Sequence, residues 1–129
     1  MNLPRLKVES TPKLAVCRLS PADKIPDWAL ESSFYCIVKT ASELSLVCEQ
    51  ALVPEGCSVE TDWSLLSVVG PLDFELVGIV SSISQPLAQA GISIFVVSTF
   101  DTDYILVKSR DLSPAIQVLE SSGFEVSSA

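Results

Sequence analysis

No histidine occurs among the 129 residues. The chain therefore lacks the commonest general base near neutral pH and the usual partner of a serine or cysteine nucleophile. Basic residues are few as well, with eight Lys and Arg against sixteen Asp and Glu and a net charge of −8. The eight are scattered, whereas phosphate binding needs them clustered, so nucleic acid is excluded as a partner. The acidic surface favours solubility and steers a cationic ligand only weakly. No run reaches the roughly 18 apolar residues of a membrane span, and "MNLPRLKVES" (1–10) has no long apolar segment of the kind found in a secretory signal. The expectation is a soluble, cytoplasmic protein with no membrane partner.

Cysteine is present, but not in a metal-binding pattern. Cys17, Cys36, Cys48 and Cys57 are 19, 12 and 9 positions apart, with no CxxC pair and no histidine to complete a zinc site. Three of them lie in apolar, strand-like runs, where a free thiol behaves as a small hydrophobe. Neither a metal nor a cofactor is expected, and Cys57, beside Gly56, is the candidate for thiol reactivity.

The chain does have apolar substance, at 48 % of residues with a positive mean hydropathy, which suits a packed globule. Its length allows one domain, or two subdomains of about 65 residues sharing a core. "KLAVCRL" (13–19) reads as a buried strand, and "SPADKIPDW" (20–28), with Pro21 and Pro26, as loop with at most one helical turn. "FYCIVKT" (34–40) and "LSLVCEQALV" (44–53) read as strands joined by a short hairpin turn, and Pro54-Glu55-Gly56 breaks the chain.

A cleaner unit begins near Trp63. "WSLLSVVG" (63–70) reads as a strand, after which the period changes. Leu76, Ile79, Val80, Ile83 and Leu87 share one helical face, with Asp73 as N-cap, Glu75 in the first turn, Pro86 bending the last turn and Gly91 as the stop. Strands at 92–98 and 103–108 follow. A second helix is predicted from about Leu112 to Ser122, with Asp111 or Ser113 as cap, Pro114 in its first turn and Gly123 after it, and "FEV" (124–126) as a short edge strand. The order β-α-β-β-α-β makes this an α+β, ferredoxin-like unit. Residues 1–12 read as a flexible arm or an added edge strand. Ile92, Ile94 and Val96 point to one face of their strand, and Phe95 and Val97 to the other. The sheet face away from the helices is thus apolar too, and calls for a cover from the N-terminal half or a second copy of the chain.

Between strands 92–98 and 103–108 lies a polar knot, Ser98-Thr99-Phe100-Asp101-Thr102-Asp103. A carboxylate pair such as Asp101 and Asp103 could in principle serve catalysis. Acidic residues in a turn between strands are ordinary turn chemistry, and no catalytic residue is assigned.

A βαββαβ unit carrying "GPLDFELVGIVSSISQPLAQAGISIFVVSTFDTDYILVK" (70–108) strongly resembles the ACT domain. More narrowly it resembles small stand-alone bacterial proteins of two tandem ACT-like halves, related to the cytosolic arginine sensor of the TOR pathway. "ASELSLVCEQALVP" (41–54) and "WSLLSVVGPLDF" (63–74) also fit that pattern. The resemblance implies a degenerate N-terminal half at 1–62 and a complete C-terminal ACT domain at 63–129, lying side by side. It also implies a small ligand, typically an amino acid, where one ACT unit meets another. The arginine sensor has four such units and this chain at most two, so an equivalent interface implies a homodimer. The Ser-Thr-aromatic turn with a following Asp, which holds ligand in that relative, falls here on Ser98, Thr99, Phe100 and Asp103.

Physical reasoning supplies a second group of candidates. A helix beginning near Asp73 offers unpaired N–H groups to a carboxylate, so the loop with Gly70, Asp73, Phe74, Glu75, Val77 and Gly78 joins the site, with Gly70 and Gly78 allowing close backbone approach. Asp103 suits an ammonium or guanidinium group. Plainer readings stand beside these. Asp73 is a helix cap, Asp101 and Thr102 shape the turn, Asp103 bonds a neighbouring backbone amide, Gly78 eases packing, Phe100 plugs the core, and Trp28 and Trp63 pack where the halves meet. The function implied is a non-catalytic, amino-acid-binding regulatory protein. The alternative is a structural or protein-interaction module without a ligand.

Overall fold

The structure is a computed structural model that describes residues 3–70 and 77–128. It divides into two compact units, one of residues 12–63 and one of residues 1–11 with 64–129. Two long strands, β1 (Leu6–Leu19) and β4 (Ser58–Val68), each contribute residues to both.

In the unit of residues 12–63, β1 is followed by α1 (Asp27–Leu30), β2 (Cys36–Lys39) and β3 (Leu44–Glu49). β3 lies between β2 and β1 and is antiparallel to both, with β4 on the far side of β1. The order β2-β3-β1-β4 is that of a ferredoxin-like unit, but its helices are vestigial. Pro21 and Pro26 leave room for a single turn in α1, and the second helix is reduced to a 3₁₀ turn at Gln50–Leu52, stopped before Pro54. The β2–β3 turn is closed by local chemistry: Thr40 N–H donates to the Glu43 carbonyl at 2.9 Å, and the Thr40 hydroxyl accepts from the N–H groups of Ser42 and Glu43. Alternate residues of β1 and β3, Ala15 and Cys17 with Leu44 and Leu46, pack on Ala29 and Trp28.

The other unit contains α2 (Ile79–Gln89), β5 (Ile94–Ser98), β6 (Asp103–Lys108), α3 (Leu112–Ser121) and β7 (Val126–Ser128). β5 and β6 form an antiparallel hairpin running from Ile94↔Val107 to Ser98↔Asp103, and β6 lies beside β4. Ile79, Ile83 and Leu87 of α2 and Ala115 and Leu119 of α3 bury one sheet face, made of Leu6, Val8, Leu66, Val68, Ile105 and Val107. The opposite face presents Lys7, Ser67, Val69, Tyr104 and Leu106, because neighbours along a strand alternate sides. Gly123, at φ 101°, ends α3 in the left-handed turn that glycine adopts without penalty. Its N–H donates to the Glu120 carbonyl and that of Phe124 to Leu119, both at 3.0 Å.

Three expectations are corrected. Residues from Leu6 onward are neither arm nor edge. β1 begins there, pairs in parallel with β7 (Leu6↔Val126, Val8↔Ser128) and has β4 on its other side, with Val69 N–H donating to the Arg5 carbonyl at 2.8 Å. β4 begins at Ser58, five residues before the apolar run that marked it. Helix α2 begins at Ile79, and the N-cap and first-turn roles given to Asp73 and Glu75, with Leu76 on the buried face, fall outside the described residues. The helix contains Pro86, as the sequence shows.

Two tests follow from this packing. Ile83 is fully buried between α2 and the sheet, so Ile83→Ala is expected to cost about 2–5 kcal/mol in urea unfolding, and a loss below about 1 kcal/mol would contradict the packing. The Cys17 thiol is pushed up to about 12 from an ordinary 9.0, first by burial and then by the neighbouring Cys48 and Cys57 thiols. The folded chain keeps a proton that the unfolded chain sheds. Stability is therefore fully present below about pH 9 and declines as pH rises from there towards 12. Urea midpoints that rose over that range would refute it.

Candidate functional site

The β5–β6 hairpin is polar because it must turn the chain in four residues, and its hydroxyls do most of that work. Thr99 N–H donates to the Thr102 carbonyl at 2.8 Å, and the Thr99 hydroxyl accepts from Thr102 N–H at 3.2 Å. At the last register pair, the Ser98 hydroxyl donates to Asp103 Oδ1 at 2.6 Å. The Thr102 hydroxyl donates to the Val68 carbonyl at 2.7 Å and anchors the turn to the end of β4. The chain leaves β4 at that same end on its way to α2.

Of the candidate residues, Ser98, Thr99, Phe100 and Asp103 therefore share one turn, and Gly70 lies at the end of the strand to which the turn is anchored. Val77 and Gly78 precede α2 and are exposed, and Asp73, Phe74 and Glu75 lie outside the described residues. Gly78 occupies the N-cap position at φ 84°. A Cβ built there meets nothing within 4 Å, so glycine is required by the backbone angle and not by close packing. Phe100 is 83 % exposed and is not a core plug. Asp103 bonds the Ser98 side chain rather than a backbone amide, which leaves its second oxygen able to accept.

The largest departure from the sequence reading is a shallow groove of about 420 Å³ on the helix-free sheet face. It is lined by Lys7, Ser67, Val68, Val69, Gly70, Asp101, Thr102 and Tyr104. Asp101, not Asp103, faces this space, and Lys7, Ser67 and Tyr104 had no part in the expected site. Lys7 stands about sixty residues before Ser67 in the chain, and only the pairing of β1 with β4 brings it there. No local pattern in the sequence signals that.

Elsewhere, Glu49 is held below the usual carboxylate range, chiefly by the Ser33 N–H at 2.7 Å. All four cysteines are free, with Cys17 and Cys48 buried and Cys36 and Cys57 half-buried, and burial raises the Cys36 and Cys48 thiols. Among the described residues no group of three or more His, Cys, Asp or Glu could hold a metal ion, and no helix is long and apolar enough to cross a membrane.

With this geometry established, known proteins supply the family. The family model of the ACT domain matches residues 58–121, and a second model, of an N-terminal domain, matches residues 12–56. A crystal structure of an Agobacterium tumefaciens protein superposes with a TM-score of 0.93 at 37 % identity, covering 100 % of this chain and 96 % of that one. The chain belongs to the ACT-domain family. Among curated proteins, the human cytosolic arginine sensor for mTORC1 subunit 1 is 41 % identical over 59 residues. Those residues are 45 % of this chain and 18 % of that relative, so the match spans less than a fifth of its length. The regulatory subunit of aspartate kinase from Thermus thermophilus shares the fold at a TM-score of 0.67 and 9 % identity, over 95 % of this chain and 99 % of that one. The match to the ACT model begins at Ser58, where β4 begins.

The hairpin's anchor in the ACT unit is testable. Thr102→Val keeps the shape and removes the hydroxyl that bonds Val68, so it should cost about 1 kcal/mol or somewhat more in urea unfolding. An unchanged midpoint would show that the bond does not hold the turn.

Proposed function

We propose that this protein is a non-catalytic regulatory module that binds an amino acid where two ACT units meet, the second unit coming from another copy of the chain in a homodimer. The observation that carries the reading is the 41 % identity to a protein named as a cytosolic arginine sensor, in a chain whose ACT unit matches the family model. The polar hairpin supports it. Ser98, Thr99 and Asp103 gather hydroxyl and carboxylate groups beside an exposed aromatic side chain, Phe100, at the end of the unit where β4 leads into α2. An ammonium or guanidinium group suits the open oxygen of Asp103, and a carboxylate suits backbone N–H groups near the start of α2. The reading extends to the cytosol, which that relative's name also gives.

A second reading has one observation in its favour. Asp103 already takes a 2.6 Å hydrogen bond from Ser98, as it would in a structural module whose hairpin serves only its own fold.

A thermal-shift screen against the twenty amino acids separates the two. Binding at 100 times the dissociation constant adds about 2.7 kcal/mol of stability, with arginine the first candidate. Asp103→Asn should weaken that binding without unfolding the chain. No shift from any amino acid would favour the structural module, and a strict monomer in light scattering would remove the shared interface.

A further inference from the structure

In the unit of residues 12–63, residues 20–33 carry α1 over β3, from the end of β1 to the start of β2. Among the described residues, the hydrogen bonds of this strap are local as far as Glu31. Ser20 N–H donates to Asp23 Oδ2 at 3.1 Å, Asp23 N–H to the Ser20 carbonyl at 3.0 Å and Ala29 N–H to the Pro26 carbonyl at 3.2 Å. The tie to the sheet lies at the far end. Ser33 N–H donates to Glu49 Oε2 at 2.7 Å, Glu49 N–H donates back to the Ser32 hydroxyl at 2.9 Å, and that hydroxyl donates to the Phe34 carbonyl at 2.6 Å. Apolar contact along α1 is slight, with Ala29 buried, Trp28 half-buried and Leu30 48 % exposed. Beneath it lie two buried thiols. Cys17 is opposite Leu46 and Cys48 opposite Ala15, so both are on the sheet face that Ala29 covers, and their side chains are hydrogen-bonded to each other.

We infer that the strap is a gate over a modification site, and that Cys48 exchanges with low-molecular-weight disulfides when the clamp between Ser32, Ser33 and Glu49 releases. The residue that holds the strap down is the chain neighbour of the thiol beneath it. Cys17 lies one strand further in, on β1. Opening breaks the clamp and uncovers Ala29 and Trp28, which exposes far less surface than unfolding the unit. In the exchange, Cys48 loses its proton to solvent and its thiolate attacks one sulfur of the reagent. The reagent's S–S bond breaks, and its other sulfur leaves as a thiolate that takes up a proton. The chain gains a mixed disulfide, oxidised at the expense of the reagent, half of which departs as thiol. Cys48 is fully buried in a close-packed interior, so the adduct has no room under a closed strap and holds it open. This goes beyond the reading above and needs neither an amino acid nor a second copy of the chain.

The test is bis(2-hydroxyethyl) disulfide added to the full chain, with the adduct on each cysteine followed by peptide mass spectrometry. Cys48 is expected to react under native conditions at a rate that stays flat in dilute urea, as for a local opening. Glu49→Ala and Ser32→Ala each remove one half of the clamp and should each speed that reaction about tenfold. Val47→Ala weakens the same unit from the opposite sheet face and should leave the rate unchanged. A rate that climbs with urea as steeply as unfolding itself, or that Val47→Ala raises as much as Glu49→Ala does, would mean that only unfolding uncovers Cys48, and would overturn the gate. A rate unmoved by either clamp variant, or adducts confined to Cys36 and Cys57, would overturn it too. Where a clamp variant does not fold, the urea dependence of the unaltered chain decides alone.

Discussion

The pairing of β1 with β4 and β7 is the constraint on which the ACT unit depends. In a βαββαβ chain the last strand lies beside the first. Here that place beside β4 is taken by the start of β1, and β7 pairs with β1 instead. Leu6 and Val8 consequently complete the core under α2 and α3, while Lys7, between them, is turned to the helix-free face. The Val69–Arg5 hydrogen bond fixes the end of β4, and the Thr102–Val68 bond fixes the hairpin to that end. Both the polar turn and the groove rest on this one insertion.

The polar groups gathered there serve the turn first. The hairpin spends most of its polar groups on its own geometry and keeps one oxygen of Asp103 and the Asp101 carboxylate, with the Phe100 side chain exposed in the same turn. Oxygen acceptors, a single ammonium and an aromatic ring suit charged and dipolar small molecules. The buried cysteines belong to the other unit's interior, where burial keeps the Cys17 and Cys48 thiols protonated and poorly nucleophilic.

Local pattern was enough for the elements that local pattern builds. Strands β5 and β6 and the hairpin between them are legible because two continuous apolar runs flank a cluster of turn residues, and α3 because its apolar face runs from a proline to a glycine. The one-turn α1 follows from two prolines. What could not be read comes from pairing at long range. Leu6 and Val8 are only two apolar residues before the polar stretch Glu9–Pro12, and they are strand because Val126 and β4 lie beside them. Ser58–Asp62 is polar apart from Val59 and mostly exposed, yet it is also strand. The site divides in the same way. The Ser98–Asp103 turn was visible as a turn, but the choice of Asp101 over Asp103 as the carboxylate facing the groove depends on which way each residue points, and Lys7 on a partner about sixty positions away.

The interleaving of the two units along the chain sets an order of assembly during synthesis. Residues 12–63 are all present before the second half of β4 emerges, so that unit's strands meet early. Leu6 and Val8 precede that unit, yet their remaining partners, β4 and then Val126, follow them by about 60 and about 120 residues. Until then the nascent chain exposes an unpaired strand with two apolar side chains, the kind of surface that chaperones recognise and that neighbouring polypeptides capture by mistake.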